Sequence, residues 1–329
     1  MKPEGIFVIS LDFELFWGVR DVHTFESYGE NILAVRKVVP ALLQLFTEFD
    51  IHVTWSTVGF LFFRTKEELL RGVPEIRPDY TNPVLSPYAD LVNIGKDENA
   101  DAYHFGSSLI EQIKRTPHQE IGTHTFSHYY CLEDGQTRES FRADLQAAIK
   151  VAGQQEIRIE SLVFPRNQYN RQYLDICAEL GITCFRGNEE AWFYREGNAG
   201  SQTSLKRGAR LLDAYLNVSG DNCYSLEEIA RTYPYNIPAS RFFRPYSEQL
   251  KFLEPLKVSR IKAGLTAAAK EKQVYHLWWH PHNFGKNLEE NIEQLRQVLV
   301  HYKNLQQQYG IASFTMAEIA ALIKEQYEK

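Results

Sequence analysis

Short apolar runs alternate along the chain with longer amphipathic segments. The runs lack the strict alternation of a strand with one wet face, which predicts strands buried on both faces of a parallel sheet. The longer segments place apolar residues three and four positions apart and therefore predict helices. The predicted strands are 6–9, 51–59, 119–122, 159–164, 182–185, 238–243, 274–279 and 311–314, and the predicted helices are 31–49, 107–114, 137–151, 172–180, 255–271, 288–309 and one that follows Thr315.

The order of these elements predicts one α/β domain over residues 1–329. Strands and helices alternate throughout, without internal repeats or a convincing linker, as in βαβ units. The stretch at about 64–103 has no clear periodicity and is punctuated by proline and glycine. Because long aperiodic segments of compact domains are more often functional lids than core elements, we expect a lid-like insertion there.

The composition is that of a globular protein, with 44% apolar and 24% charged residues. A formal charge of −6 without a stripe of Lys and Arg argues against nucleic-acid binding. The four cysteines form no Cys-x-x-Cys pair, and the first apolar run is too short for a signal-peptide core or a membrane span. A cytoplasmic protein without an integral membrane segment is expected. The oligomeric state is left open, with a homo-oligomer as one alternative.

Two carboxylates follow the first apolar run. Asp12 and Glu14 are two positions apart and face the same side if the strand persists. Acidic residues also end many strands without any function. Carboxylates immediately after a buried segment are nevertheless costly unless they are paired or bound to a metal, and catalytic residues of α/β folds collect at such strand ends. We therefore favour a functional role for both residues.

A pair of histidines follows the third predicted strand. His124 and His128 are four positions apart, so they present their imidazoles to one point if a helical turn begins there. This spacing is typical of two nitrogen ligands to one metal ion, and it also occurs as a solvated pair on a helix surface. The polar residues at other strand ends favour the metal site.

Taken in order, the polar motifs carry a resemblance to a known family. They are Asp12-Phe13-Glu14, His124-Thr125-Phe126-Ser127-His128, Pro165-Arg166-Asn167 and Leu277–His280. This series resembles the motifs of the polysaccharide deacetylase family (NodB homology, carbohydrate esterase family 4), with His-Thr-x-x-His as the specific one. The match runs from position 6 to about position 284. The resemblance implies an α/β fold of the distorted (β/α)7-8 barrel type and a metal-dependent N-deacetylase.

Carried onto this sequence, the family's metal site implies Glu14, His124 and His128 as ligands. Two imidazoles and one carboxylate leave coordination positions open for water, as in catalytic zinc sites. The implied cofactor is a divalent metal ion, with Zn²⁺ preferred.

The resemblance also implies an acid and a base. Asp12 would be the general base, Arg166 would orient it and keep it ionised, and His280 would be the general acid. His282 competes with His280 for the acid role, although His280 is nearer the strand end. The remaining histidines are interpreted as non-catalytic: His23, His52, His104, His118, His276 and His301.

The sequence departs from the family pattern in several places. The family has adjacent aspartates, whereas a residue separates Asp12 from Glu14, which leaves open an exchange of their roles. The arginine loop reads Pro-Arg-Asn-Gln. No clear Asp/Trp loop is found, and Asp213 and Arg244 are weak stand-ins that fit structural roles better.

The expected cytoplasmic location limits the classes of substrate that the enzyme can reach. Wall-degrading deacetylases are secreted, so a cytoplasmic member is expected to act on an N-acetylated amino sugar carried by a nucleotide or lipid, on the way to a surface polysaccharide. Two alternatives remain: a C–N hydrolase of the same fold acting on a small cyclic amide or ureide, and a sugar-binding barrel without catalysis.

Overall fold

Strands and helices alternate along residues 4–327, the part of the chain that the computed structural model describes. The strands are β1 (Ile6–Phe13), β2 (Val53–Thr57), β3 (Gln119–Thr123), β4 (Ser161–Val163), β5 (Cys184–Arg186), β6 (Tyr235–Asn236), β7 (Arg241–Phe242), β8 (Val274–Trp279) and β9 (Ala312–Ser313). The helices are α1 (Phe25–Glu48), α2 (Lys66–Gly72), α3 (Ser107–Arg115), α4 (Arg138–Gly153), α5 (Leu174–Glu179), α6 (Ser204–Tyr215), α7 (Leu226–Ile229), α8 (Glu254–Glu271), α9 (Leu288–Tyr309) and α10 (Met316–Tyr327).

The described strands form one curled sheet in which every pairing is parallel. Their order is β6-β5-β4-β3-β2-β1-β8-β7, and β9 pairs with the first residues of β1. The segment that carries β6 and β7 links the two ends of the sheet. The N–H of Ile237 donates to the carbonyl of Phe185 in β5 at 2.9 Å, and the N–H of Ser240 donates to the carbonyl of His276 in β8 at 2.8 Å. The prediction of a distorted barrel is confirmed.

A polar layer crosses the interior of this barrel. Ser10 of β1 accepts a hydrogen bond from Arg186 of β5 at 2.9 Å, and its Oγ lies 2.8 Å from Nε2 of His276 in β8. Burial, together with the positive charge of Arg186, lowers the pKa of His276 to about 3. The neutral His276 ring and Ser10 therefore lie in the barrel interior below the strand ends. This position is consistent with a non-catalytic His276.

Helix boundaries follow the capping residues. The helix predicted at 31–49 begins earlier, at Phe25, because Thr24 caps it through a capping box and its first turn is mostly polar. A pattern of apolar positions does not reveal a polar first turn. The capping box expected before the last helix is present. The Thr315 hydroxyl accepts the backbone N–H of Glu318 at 3.1 Å, and the Glu318 carboxylate accepts the backbone N–H of Thr315 at 2.8 Å. None of the described helices is long and apolar enough to cross a membrane.

The stretch 64–103 contains α2 and short 3-10 helices, and it is anchored to the domain. Leu91 is buried, and the Tyr80 hydroxyl accepts the backbone N–H of Tyr130 at 2.8 Å. None of its described residues lines the two clefts considered below. Its role as a lid stays a prediction.

Candidate active site

Two carboxylates lie at the end of the central strand. Asp12 belongs to β1 and Glu14 follows it directly, and both are only 3% exposed. Leu15 has a φ of 48°, so the chain turns sharply after Glu14. Both side chains line one cleft of about 320 Å³ at the mouth of the barrel.

The two histidines after β3 do not lie on a helix, in contrast to the helical turn expected from their spacing. The residues from His124 to His128 form an irregular turn in which Thr125 and His128 have φ values of 62° and 57°. This turn still brings the rings together, with centroids 5.0 Å apart. A loop with two left-handed residues therefore brings the rings together, and not the helical turn that the four-residue spacing predicted.

A buried carboxylate on α4 holds this turn in place. Oδ1 of Asp144 accepts the backbone N–H of Phe126 at 2.7 Å, and Oδ2 accepts both the backbone N–H of Ser127, at 3.2 Å, and its hydroxyl. Burial raises the pKa of Asp144 to about 6, against the opposing effect of these donors. Asp144 therefore has a positioning role that the sequence analysis missed. An acidic residue on the apolar side of a helix, one position before Leu145, was the available signal.

The histidine nitrogens converge on Glu14. Nε2 of His124 lies 3.3 Å from Oε2 of Glu14, and Nε2 of His128 lies 3.1 Å from the same oxygen. Nδ1 of His124 donates to the carbonyl of Val163 at 2.8 Å, which fixes the ring and turns Nε2 toward the cleft. That buried Nε2 has no hydrogen-bond partner among the described residues.

This donor set fits a divalent metal ion. Ligand atoms arranged tetrahedrally at about 2.0–2.1 Å from zinc lie about 3.3–3.4 Å from one another, close to the separations between Glu14 and the two imidazoles. Burial lowers the pKa of His128, so its imidazole is neutral and has a lone pair available for a metal. Glu14, His124 and His128 are all buried, and their potential ligand atoms lie within 4.8 Å of one another.

The late strand brings two more histidines to the same carboxylate. His282 is 3% exposed, and its Nε2 lies 3.0 Å from Oε1 of Glu14, while its Nδ1 lies 2.9 Å from the Tyr28 hydroxyl. His282 therefore bridges the Glu14 carboxylate and the Tyr28 hydroxyl. His280 is more accessible, with a side chain 23% exposed, and its Nε2 lies 3.6 Å from Oδ2 of Asp12 and 3.7 Å from Oε1 of Glu14. His280 therefore faces both carboxylates, whereas His282, which also lines the cleft, contacts only Glu14 of the two.

Arg186, not Arg166, is the partner of Asp12. Two nitrogens of Arg186 donate to the two oxygens of Asp12, each at 2.8 Å, in a fully buried bidentate pair. Arg166 instead donates to both oxygens of Asp21 at 2.6 Å. The prediction that Arg166 orients Asp12 is therefore wrong.

The backbone explains the difference. Arg166 and Asn167 both have a φ of 53°, and the Arg166 guanidinium carbon lies 4.8 Å from the centroid of the Tyr130 ring. Arg186 is the last residue of β5, where a parallel strand delivers its side chain to the barrel mouth. A charged residue directly after the apolar run 182–185 was the signal available in the sequence.

Trp278 and Asn167 surround the guanidinium of Arg186. Its carbon lies 4.1 Å from the centroid of the Trp278 ring, and one of its nitrogens donates to Oδ1 of Asn167 at 3.0 Å. Asp213, considered a stand-in for the missing Asp/Trp loop, pairs with Arg241 instead. Asn167 after β4 and Trp278 of β8 therefore hold the guanidinium of Arg186.

The local charges keep both carboxylates ionised. Burial raises the pKa of Asp12, but Arg186 together with His124 and His280 outweighs burial and holds that pKa below its usual 3.8. Burial likewise opposes ionisation of Glu14, yet the surrounding histidines, His280 foremost, hold its pKa well below 4.5. The site therefore presents two anionic oxygen groups among imidazole nitrogens, one group tied to an arginine and the other to histidines.

Gly18 leaves the space that the Glu14 carboxylate occupies. A Cβ at this position would lie 1.9 Å from Cδ of Glu14 and 2.2 Å from each of its oxygens. We expect Gly18→Ala to displace the carboxylate from His124 and His128 and to weaken zinc binding by on the order of 10-fold or more. Titration of the metal-free protein with zinc measures the change.

Gly153→Ala is the matched control. Nothing lies within 4 Å of a Cβ at Gly153, and neither glycine has a φ that an alanine would strain. The control should bind zinc as the unaltered protein does. Equal zinc affinity in both variants would mean that Glu14 is not a ligand.

Comparison with known protein families gave a match. The profile of the polysaccharide deacetylase family matches residues 22–185, about half of the chain, a stretch that contains His124 and His128. Comparison with curated protein sequences gave no match.

Solved structures resemble the fold over nearly its whole length. A protein assigned as a polysaccharide deacetylase from Mycobacterium smegmatis aligns with a TM-score of 0.63 at 14% identity, covering 98% of this chain and 91% of that one. A protein with the same assignment from Pseudomonas aeruginosa PAO1 gives 0.57 at 11% identity, covering 99% and 93%. Puue allantoinase gives 0.55 at 11% identity, with 99% and 93% covered. At these identities the likeness concerns the fold. With the family match, the barrel and the ordered motifs together, the chain belongs to the polysaccharide deacetylase family.

Proposed function

We propose that this protein is a metal-dependent deacetylase that hydrolyses the N-acetyl group of an amino sugar. The proposal rests on one observation, which is that two groups of side chains meet at one cleft. Glu14, His124 and His128 offer a ligand set, and Asp12 with His280 stands beside it. Glu14 rather than Asp12 is the carboxylate next to both His124 and His128, which supports the assignment of Glu14 as ligand and Asp12 as base.

The side chains suit the two proton transfers of amide hydrolysis. Asp12 is ionised and lines the cleft, so it can take a proton from the attacking water. Arg186 keeps Asp12 charged and fixed in orientation. As the C–N bond breaks, the amine nitrogen needs a proton, and His280, 3.6 Å from Asp12, is placed to supply it. The products are acetate and the free amino sugar.

A divalent metal ion held by Glu14, His124 and His128 would polarise the amide carbonyl and make water a stronger nucleophile. The chain's own residues prepare for it, since Val163 fixes His124 and Asp144 fixes the turn that carries both histidines.

Acetate release is the direct test of this function. A panel of N-acetylated sugars should give acetate with the protein as purified, none after treatment with a chelator, and acetate again after zinc is added. Allantoin is the substrate that tests for a ureide hydrolase. A binding assay with the same sugars tests for a barrel that binds sugar without catalysis. Turnover of allantoin alone, or sugar binding without acetate release, would contradict the proposal.

His124→Ala tests the ligand set separately. We expect the purified protein to carry about one divalent ion per chain, and the variant to lose it, because removal of one buried nitrogen leaves two ligands. Elemental analysis of the two proteins measures this. His301→Ala is the control, since His301 lies on α9, where its Nε2 contacts Thr266 at 2.8 Å. Equal metal content in His124→Ala and in the control would refute this ligand set.

A further inference from the structure

A second, larger cavity adjoins the cleft of the candidate active site. Its volume is about 570 Å³, which is within the range of pockets that hold small organic ligands. The two spaces share part of their walls, so a ligand in one can extend into the other. The residues that line both are Val22, Arg166, Asn167, Phe242 and Trp278.

Arginines dominate the walls of this cavity. Arg166 and Arg241 have carboxylate partners, in Asp21 and Asp213. Four further arginines line it without an ion pair to any acidic side chain of the described chain. These are Arg195, Arg207, Arg210 and Arg244.

The positive charge is local and only partly compensated. The chain as a whole has a formal charge of −6, and the acidic residues that line the cavity are Glu189 and Glu196. Among the described residues, Arg207 and Arg210 bond only neutral partners, Ser204 at 3.2 Å and Gln202 at 2.9 Å. Burial, with repulsion from other cavity arginines, also lowers the pKa of Arg210. An anion in the cavity would relieve this repulsion.

The wall also contains polar side chains with buried atoms that lack a hydrogen-bond partner among the described residues. Oε1 of Glu189 and Nε of Arg241 are buried and have no hydrogen-bond partner among the described residues. The same holds for Oδ1 of Asn188 and Nε1 of Trp278. The wall is therefore polar as well as positively charged, which suits a hydroxylated anionic ligand better than an apolar one.

We infer that this cavity binds a phosphate or diphosphate group of the substrate, so that the enzyme deacetylates a phosphorylated amino sugar in preference to a neutral one. This inference rests on the proposed function and names the substrate class of the same site. Four unpaired guanidinium groups exceed what a single carboxylate needs, and arginine binds phosphate oxygens through paired N–H donors. A nucleotide and a lipid carrier present the same diphosphate chemistry.

Substrate comparison tests the inference by catalysis. N-acetylglucosamine, its 1-phosphate and its uridine diphosphate derivative share one N-acetyl group and differ in charge. We expect kcat/KM to rise by on the order of 10-fold or more from the neutral sugar to the diphosphate. N-acetylglucosamine linked through diphosphate to a short polyprenol is the lipid arm, and the better of the two diphosphates identifies the carrier. Equal kcat/KM for neutral and phosphorylated sugars would overturn the inference and leave the proposed function intact.

Variants link the preference to the cavity. Arg207→Gln and Arg244→Gln should each lower kcat/KM for the diphosphate by on the order of 10-fold and leave the neutral sugar unchanged. Arg71→Gln is the control, because Arg71 is an exposed arginine on α2 that does not line this cavity. Losses that are equal for charged and neutral substrates would contradict a phosphate subsite.

Pyrophosphate binding gives a readout that does not depend on turnover. Calorimetric titration should show weaker binding to the Arg207→Gln and Arg244→Gln proteins than to the unaltered protein and the Arg71→Gln control. Any contact with a bound metal is common to all four proteins and cancels in the comparison. Equal affinity throughout would overturn the inference. Arginine-dependent binding without acetate release from any sugar would support the anion site and count against the proposed function alone.

Discussion

Asp12→Asn should lower acetate release by on the order of 10³-fold while the protein keeps its divalent metal ion. Asparagine has nearly the same shape and can still accept a hydrogen bond from Arg186, but it cannot take a proton from water. The cost falls on the chemical step, so kcat drops and KM changes little. Acetate assays and elemental analysis of the same preparation measure the two quantities together.

Glu14→Gln is the counterpart, and its metal content should fall. The neutral amide is a poor ligand and cannot balance the imidazoles that now surround a carboxylate. Thermal unfolding of both variants controls for stability, since Asp12→Asn leaves Arg186 buried without its anion. If Asp12→Asn loses the metal and Glu14→Gln keeps it, the two carboxylates have exchanged roles.

His280→Asn should lower turnover of the amide by on the order of 10²-fold or more, with metal content unchanged. An amine cannot depart as an anion, so the variant lacks the group that protonates it. Phenolate needs no such proton. Activity toward 4-nitrophenyl acetate should therefore change much less in the variant, which separates loss of an acid from general damage to the site.

His282→Asn completes the comparison. His282 is buried and lies 3.0 Å from Oε1 of Glu14, so the variant should weaken metal binding and have the smaller effect on protonation of the amine. With zinc in excess, His282→Asn should recover activity and His280→Asn should not. A larger loss of turnover in metal-saturated His282→Asn would place the acid on that residue instead.

The fold was predictable because its signals are local. Apolar runs for β1 and β8 and amphipathic segments for α4 and α9 reflect the burial that each element has in the folded chain. The approach of Asp12, Glu14, His124 and His280 followed from a general property of parallel sheets, in which strand ends of one polarity meet at one rim.

The partners of these residues were less accessible to sequence reasoning. Arg166 and Arg186 both follow apolar strands, and the choice between them depends on a left-handed backbone at Arg166 that a hydrophobic pattern does not encode. His282 was interpreted only as a rival acid, because its contact with Glu14 depends on the turn after β8. Asp144 reaches the histidine loop across a helix–loop contact, which no spacing along the chain indicates.

The reacting groups and the cavity arginines come from different layers of the protein. Asp12 lies within the sheet and Glu14 and His280 lie next to it, whereas Arg207 and Arg210 lie on α6, in the excursion between β5 and β6. Mutations in this segment between β5 and β6 can alter which carrier group the cavity binds without moving the strand ends. Under the proposed function, the strand ends carry the chemistry and the α6 segment selects the substrate, so substitutions in α6 should change substrate preference alone.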